Sequence, residues 1–253
     1  MFEFAHKYAS LMHFHRLSLR LAPWLGWLAI ILFAIGLYGG LVQAPTDYQQ
    51  GESFRIIYIH VPSAWMSLFV YMTMAGAAFS VLVWRVKVAE ISLRAAAPLG
   101  ASFTFLALVT GAIWGKPMWG TFWVWDARLT SELVLFFIYL GVIALTHAID
   151  DRRVAARAAS VLTLIGVVNV PIIHYSVKWW NTLHQGPIFT GMAKPSVHID
   201  MLIPLLVMVA AFMCYFGSVL LVRMRLLILE YDRNSQWLKQ YLRELEPTTQ
   251  ANV

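Results

Sequence analysis

The chain is short of charge. Only 13% of its 253 residues are Asp, Glu, Lys or Arg, about half the share in an average soluble domain. That excludes a globular domain with an ordinary solvated surface. Cysteine is nearly missing too. Cys214 is the only one, so neither an intrachain disulfide nor a thiolate metal cluster can form. There is no Gly-rich phosphate loop, no Ser/His/Asp grouping and no nucleotide-binding motif. These absences argue against an enzyme, and any ATP would have to be handled by a partner. No long linker, low-complexity tract or clear internal repeat divides the sequence, so residues 1–253 read as one membrane domain.

Apolar residues are what the chain has in excess, at 60%. Uncharged apolar runs of ~20 residues are long enough to cross a bilayer as helices. Six such runs lie at about 21–43, 57–84, 95–114, 133–149, 158–177 and 202–222. The expected fold is all-α, a polytopic bundle of six transmembrane helices. The first run is longer than the apolar core of a signal peptide and follows a long tail, so it reads as a span.

The net charge of +6 is better read as a topology signal than as a nucleic-acid footprint. Of the 19 basic residues, only Arg55, Lys116, Arg128, Lys178 and Lys194 fall in the second, fourth and sixth flanks. The other 14 fall in the two tails and in the loops near 85–94 and 150–157. By the positive-inside rule both termini are cytoplasmic. The segments 44–56, 115–132 and 175–201 then face outward. The tail 223–253 is cytoplasmic and reads as helical over 223–246, with Trp237, Leu238, Tyr241, Leu242 and Leu245 in one stripe. That stripe suits the membrane interface or a docked ATPase.

Tryptophan is concentrated in the outward segment 114–132. Trp114, Trp119, Trp123 and Trp125 lie within twelve positions, and Asp126 and Arg128 follow. Interfacial anchoring explains one or two tryptophans. It accounts well for Trp24, Trp27, Trp65, Trp84, Trp179 and Trp180. Four together suggest a flat platform for a flat ligand. If 119–130 is a short helix, Trp119, Trp123, Asp126 and Thr130 share a face. Four of the eight histidines, His60, His174, His184 and His198, fall on the same side of the membrane. His60 stands just before Pro62, at the mouth of the second span. Singly, each is an ordinary interfacial histidine. Together with an aromatic shelf, they could hold a heme iron from both sides. Arg55, Arg128 or Lys178 could then meet its propionates. His6, His13, His15 and His147 lie on the other side.

The stretch "WGTFWVWDARLT", 119–130, resembles the tryptophan-rich signature W-G-x-x-W-x-W-D-x-R-L-T of the WWD-domain membrane proteins. All its fixed positions match: Trp119, Gly120, Trp123, Trp125, Asp126, Arg128, Leu129 and Thr130. With six spans and the motif between spans three and four, the likeness over roughly 20–230 is to the heme exporter protein C type of bacterial cytochrome c maturation. The resemblance implies heme b held at the periplasmic face of the inner membrane and presented to a periplasmic heme chaperone. It implies work beside ABC transporter subunits and a small single-span membrane subunit. By position, the family's two axial histidines carry over to His60 and His184. His174 and His198 have no such family role.

Two other functions compete. A transporter could move heme or another substrate across the membrane. A proton-coupled path would be marked by ionisable residues in the spans, and the central parts of the six runs hold none, although Asn169 and Pro171 interrupt the fifth. Passage of heme itself between the helices stays open. A b-type cytochrome carrying electrons across the bilayer would need a second histidine pair near the inner side, where only His147 is available. The topology is open to a direct check. Cysteines replacing Gly51, Lys116 and Gln185 should react with an impermeant thiol reagent added outside. Arg153→Cys should react only after the membrane is opened, and external labelling of it would overturn the orientation.

Overall fold

The computed structural model describes residues 10–180, 182–184, 186 and 197–245. His6, Lys7, Gln185 and Lys194 lie outside the described residues. Among those described, the protein is helical, and six helical stretches are long and apolar enough to span a membrane. Helix α1, Leu11–Tyr38, continues through a π-helical turn, Gly39–Gln43. A 3₁₀ turn, Glu52–Ile56, leads into α2, Ile57–Trp84. Next come α3, Lys87–Trp119, and α4, Ala127–Ala148. The fifth span is two helices, α5, Arg152–Gly166, and α6, Asn169–Trp179. The long α7, Ile199–Tyr231, and the short α8, Gln236–Leu245, complete the order.

The fifth span breaks where the sequence places Pro171. A proline in a helix has no N–H to give, and its ring collides with the carbonyl four residues back, here Val167. The chain therefore turns at 167–168 before resuming as α6. Asn169, at the break, donates from Nδ2 to the Ser131 carbonyl at 2.9 Å and ties α6 to the top of α4.

Helix α2 is the hub, packed against α3, α5 and α7, while α1 lies along α7. The core between them is built from Tyr58, Met66, Val70, Tyr71, Met74, Leu135, Tyr139, Leu205 and Met208 among others. The outward sides carry exposed Trp24, Trp27, Ile30, Phe79 and Trp84, as expected where the surrounding solvent is lipid. Two buried tyrosines of the bundle find partners in the chain, whereas the buried Tyr58 and Ser160 hydroxyls have none among the described residues. Tyr71 donates to the Thr163 carbonyl at 2.8 Å and Tyr139 to the Ser67 carbonyl at 2.7 Å.

The tail is helical but not continuous. It breaks after Tyr231, and α8 turns back against the start of α1. His15 is buried there between the rings of Trp237, 5.7 Å away, and Tyr241, 5.2 Å away. Leu238 is buried, whereas Leu242 stays exposed. The stripe expected in the tail is thus largely spent on the chain's own first helix. The first described turn and the last helix meet at the end of the bundle opposite the tryptophan motif.

Close packing of α3 on α4 rests on Gly100. A Cβ there would fall within the ring of Tyr139. Overpacking a well-filled site typically costs ~1–3 kcal/mol. Gly100→Ala should lower the unfolding temperature of the detergent-solubilised protein by several degrees. An unchanged melting temperature would mean that the Tyr139 ring gives way without loss.

Candidate functional site

The tryptophan motif is not the short helix that its spacing suggested. Helix α3 runs on through Lys116 and Pro117 to Trp119 and ends on Gly120, whose φ of 76° is left-handed and suits glycine. The Gly120 N–H closes the helix on the Lys116 carbonyl at 3.0 Å. Residues 121–126 are irregular, and Asp126 starts α4 by accepting from the Leu129 N–H at 2.8 Å. The motif is therefore a helix end, a short link and a helix start. Trp114 lies inside α3, not in the link.

This arrangement opens a cleft between α2, α3 and the start of α4. His60, Val61, Ala64 and Trp65 line it from α2, and Gly111, Trp114 and Trp119 from α3. Trp123, Arg128, Glu132 and His184 complete it. The rings of His60 and His184 stand 6.2 Å apart, centre to centre, tilted by 32°. Trp114 meets His60 edge-on at 5.6 Å, and Trp119 lies 6.2 Å from His184. Trp114 is fixed in turn by its indole N–H, which donates to Gln50 Oε1 at 2.8 Å.

His60 belongs to the fourth residue of α2, and Pro62 lies inside that helix rather than at its start. The ring is buried, with Nδ1 3.1 Å from Thr110 Oγ1. The Thr110 hydroxyl already donates to the Leu106 carbonyl at 2.6 Å. It has one hydrogen, so toward His60 it accepts. Nδ1 therefore carries the proton, and Nε2 keeps a lone pair for a metal. Gly111 makes this placement possible, because a Cβ there would sit 2.9 Å from the His60 ring.

Other expected residues are placed elsewhere. Trp125 is 76% exposed and meets the edge of Trp123, at 5.4 Å. It does not line the cleft. Arg55 donates to the Gly40 and Ala44 carbonyls at 2.7 and 3.1 Å and pairs with Glu52. Lys178 lies over the Tyr175 ring at 5.8 Å. Arg128 is the cation that lines the cleft, and its Nη1 donates to the Ile173 carbonyl at 2.8 Å. His174 packs on Tyr175, and His198 caps α7. Neither lines the cleft.

Compared with known proteins, the chain matches the family model for heme exporter protein C over residues 4–239. The chain belongs to the heme exporter protein C family. A heme exporter protein C from Haemophilus influenzae is 50% identical over 246 residues, 97% of this chain and all of that one. The heme exporter protein C of Escherichia coli K12 is 54% identical over 220 residues, 87% of this chain and 89% of that one. A Marchantia polymorpha protein named as ccmC-like in cytochrome c biosynthesis is 47% identical over 207 residues, 81% of this chain and 88% of that one.

Sequence reasoning passed over Thr110, Gly111 and Thr182, and it gave Glu132 no place in a site. Glu132 is buried, lines the cleft and accepts from Ser67 Oγ at 2.7 Å. Its signal was present: Arg128 and Glu132 stand four apart, on one face of the helix that follows the motif.

Proposed function

We propose that the protein holds heme b in this cleft, at the periplasmic face of the bacterial inner membrane, and presents it to a periplasmic heme chaperone during cytochrome c biogenesis. The observation that carries this reading is the facing pair, His60 and His184. Metal–imidazole bonds are about 2.0–2.1 Å long, so imidazoles on opposite sides of one iron have centres about 6 Å apart. The separation of 6.2 Å fits one iron between them.

The rest of the cleft suits a flat, largely apolar ligand with anionic edges. Trp114, Trp119 and Trp123 supply aromatic surface. Arg128 is the propionate partner best placed, because Arg55 and Lys178 are engaged away from the cleft. Trp123 carries a buried indole N–H with no partner among the described residues. Such a donor is costly to leave unpaired, and an acceptor on a bound ligand would satisfy it. Exposed Trp125 belongs to the rim, where the chaperone approaches. ABC transporter subunits and the small single-span subunit, with membrane lipid, complete the expected surroundings. Both termini then lie in the cytoplasm, in keeping with the distribution of basic residues.

Conduction of ions across the bilayer is less well supported. Glu132 is the one buried carboxylate among the described residues, and no second one continues a path inward. An electron-carrying cytochrome is also less well supported: of the inner-side histidines described, His147 is exposed at a helix end against the Ile143 carbonyl, and His15 is packed between Trp237 and Tyr241.

Purified wild-type protein should show one six-coordinate heme per chain. His60→Ala and His184→Ala should each lose or reshape that spectrum, whereas His174→Ala and His198→Ala should not. Ring contacts are worth on the order of 1 kcal/mol beyond area burial. Trp119→Ala or Trp123→Ala should therefore weaken retention severalfold. Trp125→Ala should leave occupancy near normal and slow transfer to the chaperone. Two hemes per chain, or the reverse pattern among the histidines, would overturn the assignment.

A further inference from the structure

His60 sits on a long helix, but His184 sits on an irregular segment beyond the end of α6. No regular element of its own fixes where that imidazole points. We infer that Asp126, the aspartate of the tryptophan motif, is the positioning residue that aims His184, acting through Thr182. This deepens the heme-binding reading and rests on it.

The connection runs atom by atom. Asp126 Oδ1 accepts from the Leu129 N–H and caps α4. Its second oxygen, Oδ2, accepts from the Thr182 hydroxyl. Thr182 Oγ1 in turn accepts from the backbone N–H of His184 at 3.0 Å. The hydroxyl is thereby used as donor and as acceptor, and its direction is determined at both ends. A carboxylate suits the middle of this chain because it accepts twice without needing a proton. Hydrogen bonds to an ionised acceptor are also stronger than neutral ones. Arg128 braces the same region two residues on, by binding the Ile173 carbonyl in the body of α6. The first turn of α4 thus holds both α6 and the segment that follows it. Asp126 does not line the cleft, so its effect on a ligand there passes through His184.

The rival explanation is that Asp126 serves as a helix cap and nothing more. Asp126→Ser separates the two, since serine is a good cap but has no second oxygen for Thr182. Thr182→Val removes the relay and leaves the cap. Thr182→Ser keeps the hydroxyl. The first measurement uses ligand-free protein and follows amide hydrogen exchange at His184 and Leu129. The His184 amide should be protected in the wild type and in Thr182→Ser. It should exchange up to about tenfold faster in Thr182→Val and Asp126→Ser, the scale of one net hydrogen bond. Leu129 should stay protected throughout.

The second measurement uses heme. Both relay-breaking variants should shift the six-coordinate spectrum toward five-coordinate, as His184→Ala should, and added imidazole should restore it. Unchanged His184 protection together with an unchanged spectrum in both variants would overturn the relay. Loss in Asp126→Ser alone, with Leu129 deprotected, would also overturn it in favour of a simple cap. If the wild type bound no heme, the binding reading would fail, and the amide measurement would still decide the relay.

Discussion

Inside a bundle surrounded by lipid, a polar group that finds no partner in the chain has no water to turn to. The rest of this structure depends on that constraint. It decides where Thr110, Glu132 and Arg128 point beside the cleft, because each is held by a specific bond. Thr110 gives its hydrogen to a helix carbonyl and so receives that of His60. Glu132 is held by Ser67 of α2, and Tyr139 of α4 binds the carbonyl of the same Ser67. Arg128 spends its Nη1 on α6. Helices α2, α3, α4 and α6 are therefore registered against one another around the cleft by hydrogen bonds as well as by apolar packing. The apolar core supplies cohesion, and the polar bonds choose the register.

The aromatic residues of the motif divide into two groups by where the backbone bends. Trp119 ends a helix and Trp123 belongs to the link, and both turn toward the cleft. Phe122 and Trp125 stay exposed, and Lys116 lies 5.3 Å from the Phe122 ring. A single uninterrupted helix would have put Trp119 and Trp123 on one stripe with Asp126. The left-handed Gly120 breaks that stripe. It frees Asp126 to stand at the start of the next helix, where a carboxylate is favoured by the helix dipole and by unpaired N–H groups. The motif is best understood as a corner in which Gly120 ends one helix and Asp126 starts the next.

How much of this was readable beforehand follows from the range of the forces involved. The six spans were legible because hydropathy over ~20 residues is a long, summed signal. Their ends were less so. Lys116-Pro117 looked like the start of a loop, yet Pro117 sits within the last turn of α3. The break at 167–168 was signalled by Pro171, since the cause is local to the chain. The facing of His60 and His184 was proposed from the family pattern, because nothing in the spacing of two residues 124 positions apart encodes a distance. Thr110, Gly111 and Thr182 were invisible for the same reason. A threonine in an apolar helix carries no mark of the ring it will meet, and Gly111 looks like any small residue in a span until the neighbouring helix is laid against it.

The two histidines are held in different ways, and under the proposed heme reading this would bear on delivery. His60 is buried on a helix, its Nδ1 fixed by Thr110 and its ring seated over Gly111. His184 is held by a chain of hydrogen bonds on an irregular segment. A ligand gripped equally by two rigid groups would leave only by breaking both contacts against a fixed frame. Where one group is rigid and the other tethered, the tethered side can yield first. Under the proposed reading, the apolar wall would then keep the heme oriented while the chaperone forms its bond. A net hydrogen bond in protein is worth only ~0.5–1.5 kcal/mol. The bond from the His184 backbone N–H to Thr182 is of that scale, enough to bias a direction without locking it.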